Sequence, residues 1–529
     1  MHSAFAFLKS TAPIFVLLAL AAGARAADQP QWGEAWTRNM ISEERGLPEN
    51  FDPQTGKNIK WVAKLGTEGH STPMVANGCV FVGTNNEEPR DPKHQGDRAV
   101  MMCFDEKEGH LLWQLVVPKR EEDPFFDWPK TGFSSEPSVE GDRLYVVDNR
   151  AEVLCLDIHG MANGNDGPYL EEGAHMSAPP ATAPPRPEPG KEIHPRLALP
   201  SADMAKPLEP GPLDADIIWI YDMVKDVGVW PHDGAHSSVL IDGDYLYLNT
   251  GTGVDNTHRA IRSPDAPSLI VLDKKTGRLV ARDDEQIAPR IFHATWSSPS
   301  KAKVNGRDLI FFAGGDGIVR AFEPVPANVP PGEVRKLKKV WQFDPDPTAP
   351  KENVHRFTGN KREGPSDIYG MPVFFHDHLY LASGGDIWWG KNEARLQCID
   401  ATGEGDITEK SLVWSYPLEK HVMSTAAVHD GLVFIADCGR KLHCVDELTG
   451  KPYWTQDLKG EVWASPMVAD GKVYLGTRRG DFWIMAASRE KKVLGTVDFE
   501  KPISGTATAA NGVLYVATMT HLYAISKAE

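Results

Sequence analysis

Side chains that could bind a ligand concentrate in a few long connecting segments of the chain. Carboxylates, amides, imidazoles and guanidiniums occur there beside indole rings, a mixture typical of pockets that orient a polar ligand and stack it on aromatic faces. The candidate ligand-binding residues are Asn86, Glu87, Arg90, Trp230, His232, His236, Asp255, Asn256, His258, Arg259, His293, His355, Arg356, Asp386, Trp388, Trp389 and Lys391. Each residue alone could equally lock its own loop by a hydrogen bond, so the prediction depends on their shared location.

Two subsets of polar residues have the chemistry of metal ligands. The first carries imidazoles suited to a transition metal, although the spacing matches no compact ligand motif, and consists of His232, His236, His258 and His293. The second carries oxygen donors suited to Ca²⁺, without the pattern of an EF-hand loop, and includes Glu87, Asp255 and Asn256. The sequence therefore leaves both the metal ligands and any catalytic residue unassigned.

A strand pattern repeated eight times must position these segments. Each copy has a first strand with a small or hydroxyl-rich start, a tight turn, a second alternating strand, and a third strand that often ends in Asp. Alternation of Val, Tyr, Phe and Leu between such turns is typical of β-hairpins. The turn position is occupied by Gly78, Gly141, Gly243, Gly306, Asp377, Gly431, Gly471 and Gly512.

A second motif, D-x-x-T-G-x-x-x-W, follows the third strand and predicts a fourth strand in each unit. It is complete from Asp446 to Trp454, whereas the eighth copy stops at Ile525 without it. A variant precedes the first full copy, between Asp52 and Trp61, so we expect the first strand to complete the last blade. The result is an all-β, eight-bladed β-propeller with four antiparallel strands per blade. Because the first strand of the chain completes the last blade, the ring is closed and its sheet edges are protected. The motif tryptophans are Trp61, Trp113, Trp219, Trp341, Trp414 and Trp454.

This repeat resembles that of the pyrroloquinoline-quinone (PQQ) repeat superfamily of eight-bladed propellers. The superfamily includes quinoprotein alcohol dehydrogenases and the non-enzymatic propeller of the bacterial outer-membrane assembly machinery. The resemblance runs from about Asp52 to the C-terminus and is carried by the turn positions and the docking tryptophans. It implies the fold but transfers no cofactor ligands, because no stretch matches their motifs, no two cysteines are adjacent, and no C-x-x-C-H haem motif occurs.

The repeat register predicts no disulfide framework among the six cysteines: Cys79 and Cys438 have no obvious partner, and the other four are predicted to be core residues. Four of them occupy one repeat position, two residues before the Asp that ends the third strand: Cys103, Cys155, Cys398 and Cys444. Small or apolar residues hold that position in other copies, namely Ala321, Ala486, Ala524 and Val271. Cysteine here is expected to behave as a small apolar side chain.

Charge and targeting signals indicate the expected partners and location of the protein. The net charge of −17 removes the attraction to phosphate backbones, so nucleic acid is not an expected partner. Residues 1–26 predict a cleaved signal peptide, with an apolar segment too short to span a bilayer and no Cys for a lipid anchor. We expect a soluble periplasmic or secreted product, with an N-terminal extension at 27–51, one propeller at 52–529, and a Pro-rich insertion at 160–212 in blade two.

The order of the strands predicts that one face of the ring carries the candidate residues. In a four-stranded antiparallel blade, the turn between the second and third strands and the connection to the next blade emerge on the same face. All seven long connections of these kinds belong to blades one to five. Nine further tryptophans, which packing within the repeat does not explain, are Trp32, Trp36, Trp128, Trp230, Trp296, Trp388, Trp389, Trp463 and Trp483.

Three functions fit these observations. The first is a scaffold that binds a protein, a small molecule or a polysaccharide on the loop-rich face. The second, implied by the resemblance, is a quinoprotein dehydrogenase that oxidises an alcohol or sugar with PQQ and Ca²⁺. The third is a carbohydrate-binding protein, suggested by the extra tryptophans. The lack of adjacent cysteines and of a haem segment favours the scaffold, for which no cofactor is required.

Overall fold

Eight four-stranded antiparallel sheets form a closed ring in the computed structural model, which describes residues 27–120, 123, 125–177 and 206–527. The predicted eight-bladed β-propeller is therefore confirmed. The predicted signal peptide and residues 178–205 of the Pro-rich insertion lie outside the described residues. In the part of the chain that is described, no helix is long and apolar enough to cross a membrane.

The first four blades, with strands given from the ring centre outward, consist of the following segments. They are β2 (Met74–Ala76), β3 (Cys79–Asn85), β4 (Arg98–Asp105) and β5 (Leu111–Pro118); β6 (Ser138–Glu140), β7 (Arg143–Val147), β8 (Glu152–Asp157) and β9 (Asp216–Asp222); β10 (Leu240–Asp242), β11 (Tyr245–Asn249), β12 (Leu269–Asp273) and β13 (Leu279–Arg282); and β14 (Ser300–Val304), β15 (Arg307–Ala313), β16 (Val319–Phe322) and β18 (Lys339–Phe343).

The last four blades follow in the same order. They are β19 (Val373–Phe375), β20 (His378–Gly384), β21 (Ala394–Asp400) and β23 (Leu412–Leu418); β24 (Ala427–His429), β25 (Leu432–Asp437), β26 (Lys441–Asp446) and β27 (Pro452–Asp457); β28 (Met467–Ala469), β29 (Lys472–Gly476), β30 (Asp481–Ala486) and β31 (Val493–Asp498); and β32 (Thr508–Ala510), β33 (Val513–Ala517), β34 (His521–Ile525) and β1 (Ile59–Lys64). The first strand of the chain thus completes the last blade, as predicted, with Trp61 opposite Ala524.

A few elements depart from the regular blade. Short parallel edge strands add a fifth strand to blades three and four: β17 (Arg335–Lys336) beside β13, and β22 (Gly405–Asp406) beside β18. The described part of the insertion lies between β8 and β9 and contains α1 (Glu172–Ser177). Helix α2 (Met223–Val227) follows β9, and its first turn is capped by the Asp222 carboxylate. Short 3-10 turns are at Gly160–Asn163, Ala288–Arg290 and Val354–Phe357.

The motif tryptophans join neighbouring blades, as predicted from the repeat. Each is buried on the outermost strand of its blade, and its Nε1 donates to a backbone carbonyl of the next blade. The pairs are Trp61 with Glu106, Trp113 with Ile158, Trp219 with Lys274, Trp341 with Ala401, Trp414 with Glu447, and Trp454 with Ser488. The D-x-x-T-G-x-x-x-W motif therefore encodes the contact between blades.

The cysteines are buried and free, as predicted. The four repeated ones lie opposite a motif tryptophan on the adjacent strand, in the pairs Cys103 with Trp113, Cys155 with Trp219, Cys398 with Trp414, and Cys444 with Trp454. The assignment of Ala486 to this position was wrong. Ile484 occupies it, opposite Gly495, because the third strand of blade seven lacks the terminal Asp that marks the register in other copies.

An N-terminal plug, residues 28–42, crosses the ring and forms hydrogen bonds with the innermost strand of every blade. The sequence indicated only an extension here and did not locate it. The bonded pairs, from blade one to blade eight, are Gln29 with Val75, Pro30 with Val139, Trp36 with Ile241, Trp36 with Lys301, Thr37 with Phe374, Asn39 with Val428, Met40 with Val468, and Ser42 with Ala509. The plug thus closes the ring centre on the side away from the long loops.

Candidate functional site

A cavity of about 400 Å³ occupies the ring centre on the loop-rich face. Residues just before the innermost strands of all eight blades reach it, and Trp32 of the plug contributes to its floor. Long connections add Trp128, Asp233 and Trp388 to the wall. The large aromatic residues that line the cavity are Trp32, Trp128, Trp296, Tyr369, Trp388 and Trp463.

The aromatic rings form an angular wall on one side of the cavity. Trp388 stands perpendicular to Trp296, with ring centroids 5.8 Å apart, and perpendicular to Trp463 at 6.3 Å. Tyr369 packs against Trp296 at 5.0 Å. The buried Nε1 of Trp296 has no hydrogen-bond partner among the described residues. Because buried donors are normally paired, this indole N–H offers a hydrogen bond to a ligand.

Carboxyl groups outnumber cations in the cavity wall. Glu68, Glu136 and Asp233 face a single guanidinium, Arg478, and none of the described lining residues is a lysine. Burial raises the pKa of Glu136 to about 7 and that of Asp233 to about 6. A hydrogen bond from His70 at 2.9 Å lowers the pKa of Glu68, so this carboxyl is ionised at neutral pH. The wall is therefore acidic, with two groups that exchange protons near neutrality.

Glu136→Gln is expected to stabilise the fold at alkaline pH and not at acidic pH. The ordinary pKa of 4.5 rises to about 7 in the folded protein because the carboxyl is buried. Below pH 4.5 the group is neutral in both states, whereas above pH 7 its ionisation opposes folding by about 3 kcal/mol. Urea denaturation at pH 4.5 and 8.5 should show the gain only at pH 8.5. Glu108→Gln, an exposed control, should show none, and equal gains at both pH values would contradict the assignment.

Three of the four predicted imidazoles come together beside this cavity. The ligand atoms of His232, His258 and His293 lie within 4.8 Å of one another. Asp386 lies 3.0 Å from His293 Nδ1. Burial alone would raise the pKa of Asp386, but His293, Tyr369 and the Trp389 backbone N–H outweigh it and lower the pKa to about 2. His236 is separate: its ring packs 5.3 Å from Trp296 and its Nε2 bonds the Asp233 carbonyl.

The structure gathers seven of the predicted site residues and places the others elsewhere. The residues in or beside the cavity are His232, His236, His258, His293, Asp386, Trp388 and Trp389. The others do not line it, and most of their side chains bond to residues of their own or neighbouring loops: Asn86, Glu87, Arg90, Trp230, Asp255, Asn256, Arg259, His355, Arg356 and Lys391. Asn86 donates to the His94 carbonyl, and Lys391 forms a buried ion pair with Asp346 at 2.6 Å. The oxygen donors of the calcium hypothesis bind separate partners.

Sequence reasoning missed most residues at the starts of the innermost strands. The candidates include neither Glu68 and Glu136, which precede such strands, nor Arg478, which follows the second strand of blade seven. Five of the nine unexplained tryptophans line the cavity: Trp32, Trp128, Trp296, Trp388 and Trp463. These tryptophans were the available signal, and Trp296 and Trp463 precede an innermost strand, where a residue faces the ring centre whatever the length of its loop. Blades seven and eight therefore contribute despite their short turns.

Comparisons with known proteins agree with the repeat and the ring. A family model described as outer membrane protein assembly factor BamB matches residues 392–489. A quinohemoprotein alcohol dehydrogenase of Comamonas testosteroni is 29% identical over 121 residues, which are 20% of this chain and 17% of that protein.

Two solved structures are similar over most of the chain. BamB from Moraxella catarrhalis has a TM-score of 0.49 and 11% identity, and the match covers 88% of this chain and 97% of that one. A europium-containing methanol dehydrogenase has a TM-score of 0.56 and 12% identity, with coverage of 94% and 98%. At such low identity the second match shows the fold alone. Taken with the family model and the eight repeats, it confirms the predicted resemblance to the PQQ-like repeat superfamily, and the fold is an eight-bladed β-propeller.

Proposed function

We propose that this protein binds a small saccharide in the central cavity of its loop-rich face. The observation that carries the proposal is the cavity itself, which combines tryptophan walls with hydrogen-bonding side chains from most of the blades. Its volume of about 400 Å³ suits a molecule of one or two sugar rings. The predicted export signal would place this binding in the periplasm or outside the cell.

The shape of the site favours a small molecule over a protein partner. Protein interfaces are usually broad and bury about 800 Å² on each side. Here the unexplained tryptophans turn inward around a concave space, and Trp296 is 9% exposed. A protein would reach such a site only by inserting a loop or a side chain.

The chemistry of the wall favours a neutral polyhydroxylated ring. Sugar C–H faces pack against indole rings, while sugar hydroxyls donate to carboxylates and accept from N–H groups. Glu68 and Trp296 Nε1 provide one acceptor and one donor of these kinds. Arg478 lies 4.3 Å above the Trp463 ring and holds that ring in place.

The described residues of the cavity do not fit PQQ, which the quinoprotein relatives suggest. PQQ is a planar tricarboxylate, and binding three carboxylates requires several cationic partners. The wall supplies one guanidinium and three carboxyl groups of its own, which would repel such a ligand. The tryptophans could stack on the quinone, but the charge balance opposes it.

The proposal is tested by calorimetric titration of the purified mature protein with neutral mono- and disaccharides, with PQQ plus Ca²⁺ as a separate arm. We expect saturable sugar binding that Trp388→Ala or Trp463→Ala weakens about tenfold or more, equivalent to about 1.4 kcal/mol. Trp36→Ala is the matched control, because Trp36 is half exposed and does not line the cavity. Stoichiometric PQQ uptake, or sugar binding unaffected by both cavity variants, would overturn the proposal.

A further inference from the structure

Three imidazoles and one carboxylate converge at the edge of the central cavity, where loops of blades two to four meet. His232 and His293 are about 1% exposed and His258 is 9% exposed. The Nε2 atoms of His232 and His258 are 3.0 Å apart. Nitrogens that bind one zinc ion at about 2.0–2.1 Å lie about 3.4 Å from each other in tetrahedral geometry. The spacing is therefore close to that of a shared metal ligand set.

The Asp233 carboxylate bridges two of these imidazoles. Its Oδ1 is 3.6 Å from His232 Nε2, and its Oδ2 is 3.5 Å from His293 Nε2. The backbone fixes the residue in place, since its N–H donates to the Phe125 carbonyl at 2.6 Å. Trp128 Nε1 donates to the same carboxylate. Asp233 thus places a carboxylate beside two of the three imidazoles.

The buried ring of His293 lacks the hydrogen bonds that buried polar atoms normally make. Neither Nδ1 nor Nε2 makes a hydrogen bond to any described residue, although Asp233 Oδ2 lies 3.5 Å from Nε2. The Nδ1 atom lies 3.0 Å from Asp386 Oδ2, and a carboxylate at this position orients a metal-binding imidazole in many proteins. Asp386 is itself held by the Tyr369 hydroxyl at 2.5 Å. The ring of His293 therefore lies against a carboxylate that is itself fixed, while its Nε2 has no hydrogen bond within the described residues.

Neighbouring charges permit a cation in this position. Arg262, the cation that acts on His232, is paired with Asp123 at 3.2 Å. A second cluster, Asp148, Glu152 and His175, differs because Arg150 lies 3.2 Å from Glu152 and already supplies a cation. The second cluster also has unpaired buried atoms, but it contains a single imidazole, whereas the cluster of His232, His258 and His293 contains three.

We propose that His232, His258, His293 and Asp233 bind a divalent transition metal of the zinc class. Three imidazole nitrogens and one carboxylate oxygen are a donor set that zinc and cobalt accept in tetrahedral geometry. Because Asp233 also lines the cavity, the metal belongs to the cavity wall. The proposal does not depend on the saccharide, since metal binding is measured without one.

The test uses the mature protein after treatment with a chelator. Zn²⁺ binding is titrated by calorimetry, and Co²⁺ binding is followed by visible absorption. We expect one equivalent per chain and the intense d–d band of tetrahedral Co²⁺. His258→Ala and His293→Ala should each weaken Zn²⁺ binding about 100-fold or more. His443→Ala is the matched control, because His443 is a buried imidazole paired with Asp437 in blade six. Circular dichroism verifies the fold of each variant.

The outcomes separate this site from adventitious binding. X-ray absorption at the zinc edge should report nitrogen and oxygen neighbours only, with multiple scattering from about three imidazoles. Binding of less than one equivalent to the wild type would overturn the proposal. It would also be overturned if the His258→Ala and His293→Ala variants, still folded, kept the wild-type affinity, or if His443→Ala lost as much affinity as they do.

Discussion

Arg38→Ala is expected to lower the free energy of unfolding by about 3 kcal/mol. The guanidinium is fully buried and joins the N-terminal plug to two blades, through bonds to the Pro299 carbonyl at 3.1 Å and to the Ser238 carbonyl at 3.0 Å. It also donates to the Trp32 carbonyl at 3.2 Å, which holds a residue of the cavity floor. Burial lowers the pKa of Arg38 to about 10, so the group is still charged at neutral pH. Its removal leaves several buried acceptors unpaired, at about 1–3 kcal/mol each, partly offset by the relief of a buried charge.

The control for Arg38 is an exposed arginine that bonds only to surface carboxylates. Arg307 pairs with Glu323 and Glu404 on the surface, with 40% of its side chain exposed. Solvent screens such pairs, so Arg307→Ala should cost at most about 1 kcal/mol. Urea denaturation followed by tryptophan fluorescence measures both variants. Equal losses in the two variants would mean that the plug contributes no more than a surface ion pair.

The fold was predictable from the sequence because each blade carries its own local signals. Alternating strands, glycine turns and the tryptophan motif recur often enough to count the blades, and the unmatched motif at Asp52–Trp61 predicts the closure of the ring. The plug was not predictable in the same way. Most of its bonds, such as those of Gln29 with Val75, use backbone atoms, which every sequence provides. A segment that pairs through its backbone leaves little pattern in its side chains.

The candidate site was predictable only in part, for a geometric reason. The loop argument identified one face of the ring and found His232, His258 and His293, which lie on three separate connections. It also included Asn86, whose amide donates within its own loop, and Lys391, which is paired with Asp346 of the preceding connection. A polar loop residue has the same sequence signature whether it faces a ligand or its own backbone. Only the three-dimensional partners distinguish these cases.

The glycine of the tryptophan motif packs against the motif tryptophan of the preceding blade. Gly450 has a φ of +67°, and a Cβ added there would lie 2.5 Å from Cε3 of Trp414 in the preceding blade. Gly109 and Gly277 lie in the same way against Trp61 and Trp219. The glycine therefore provides both a left-handed turn and a flat surface for the docking indole. This is why T-G and W recur together in the sequence.

Gly450→Ala is expected to lower the free energy of unfolding by about 3 kcal/mol or more, from backbone strain of about 1 kcal/mol and displacement of the Trp414 ring. Gly471→Ala isolates the first contribution, because Gly471 has the same φ of +67° and open space where the Cβ would lie. It should cost about 1 kcal/mol. Urea denaturation of the two variants measures the difference, which reports the contact between blades. If both substitutions cost the same, the glycine of the motif serves only its own turn, and the bond of Trp414 Nε1 to the Glu447 carbonyl at 2.8 Å must hold blades five and six together without it.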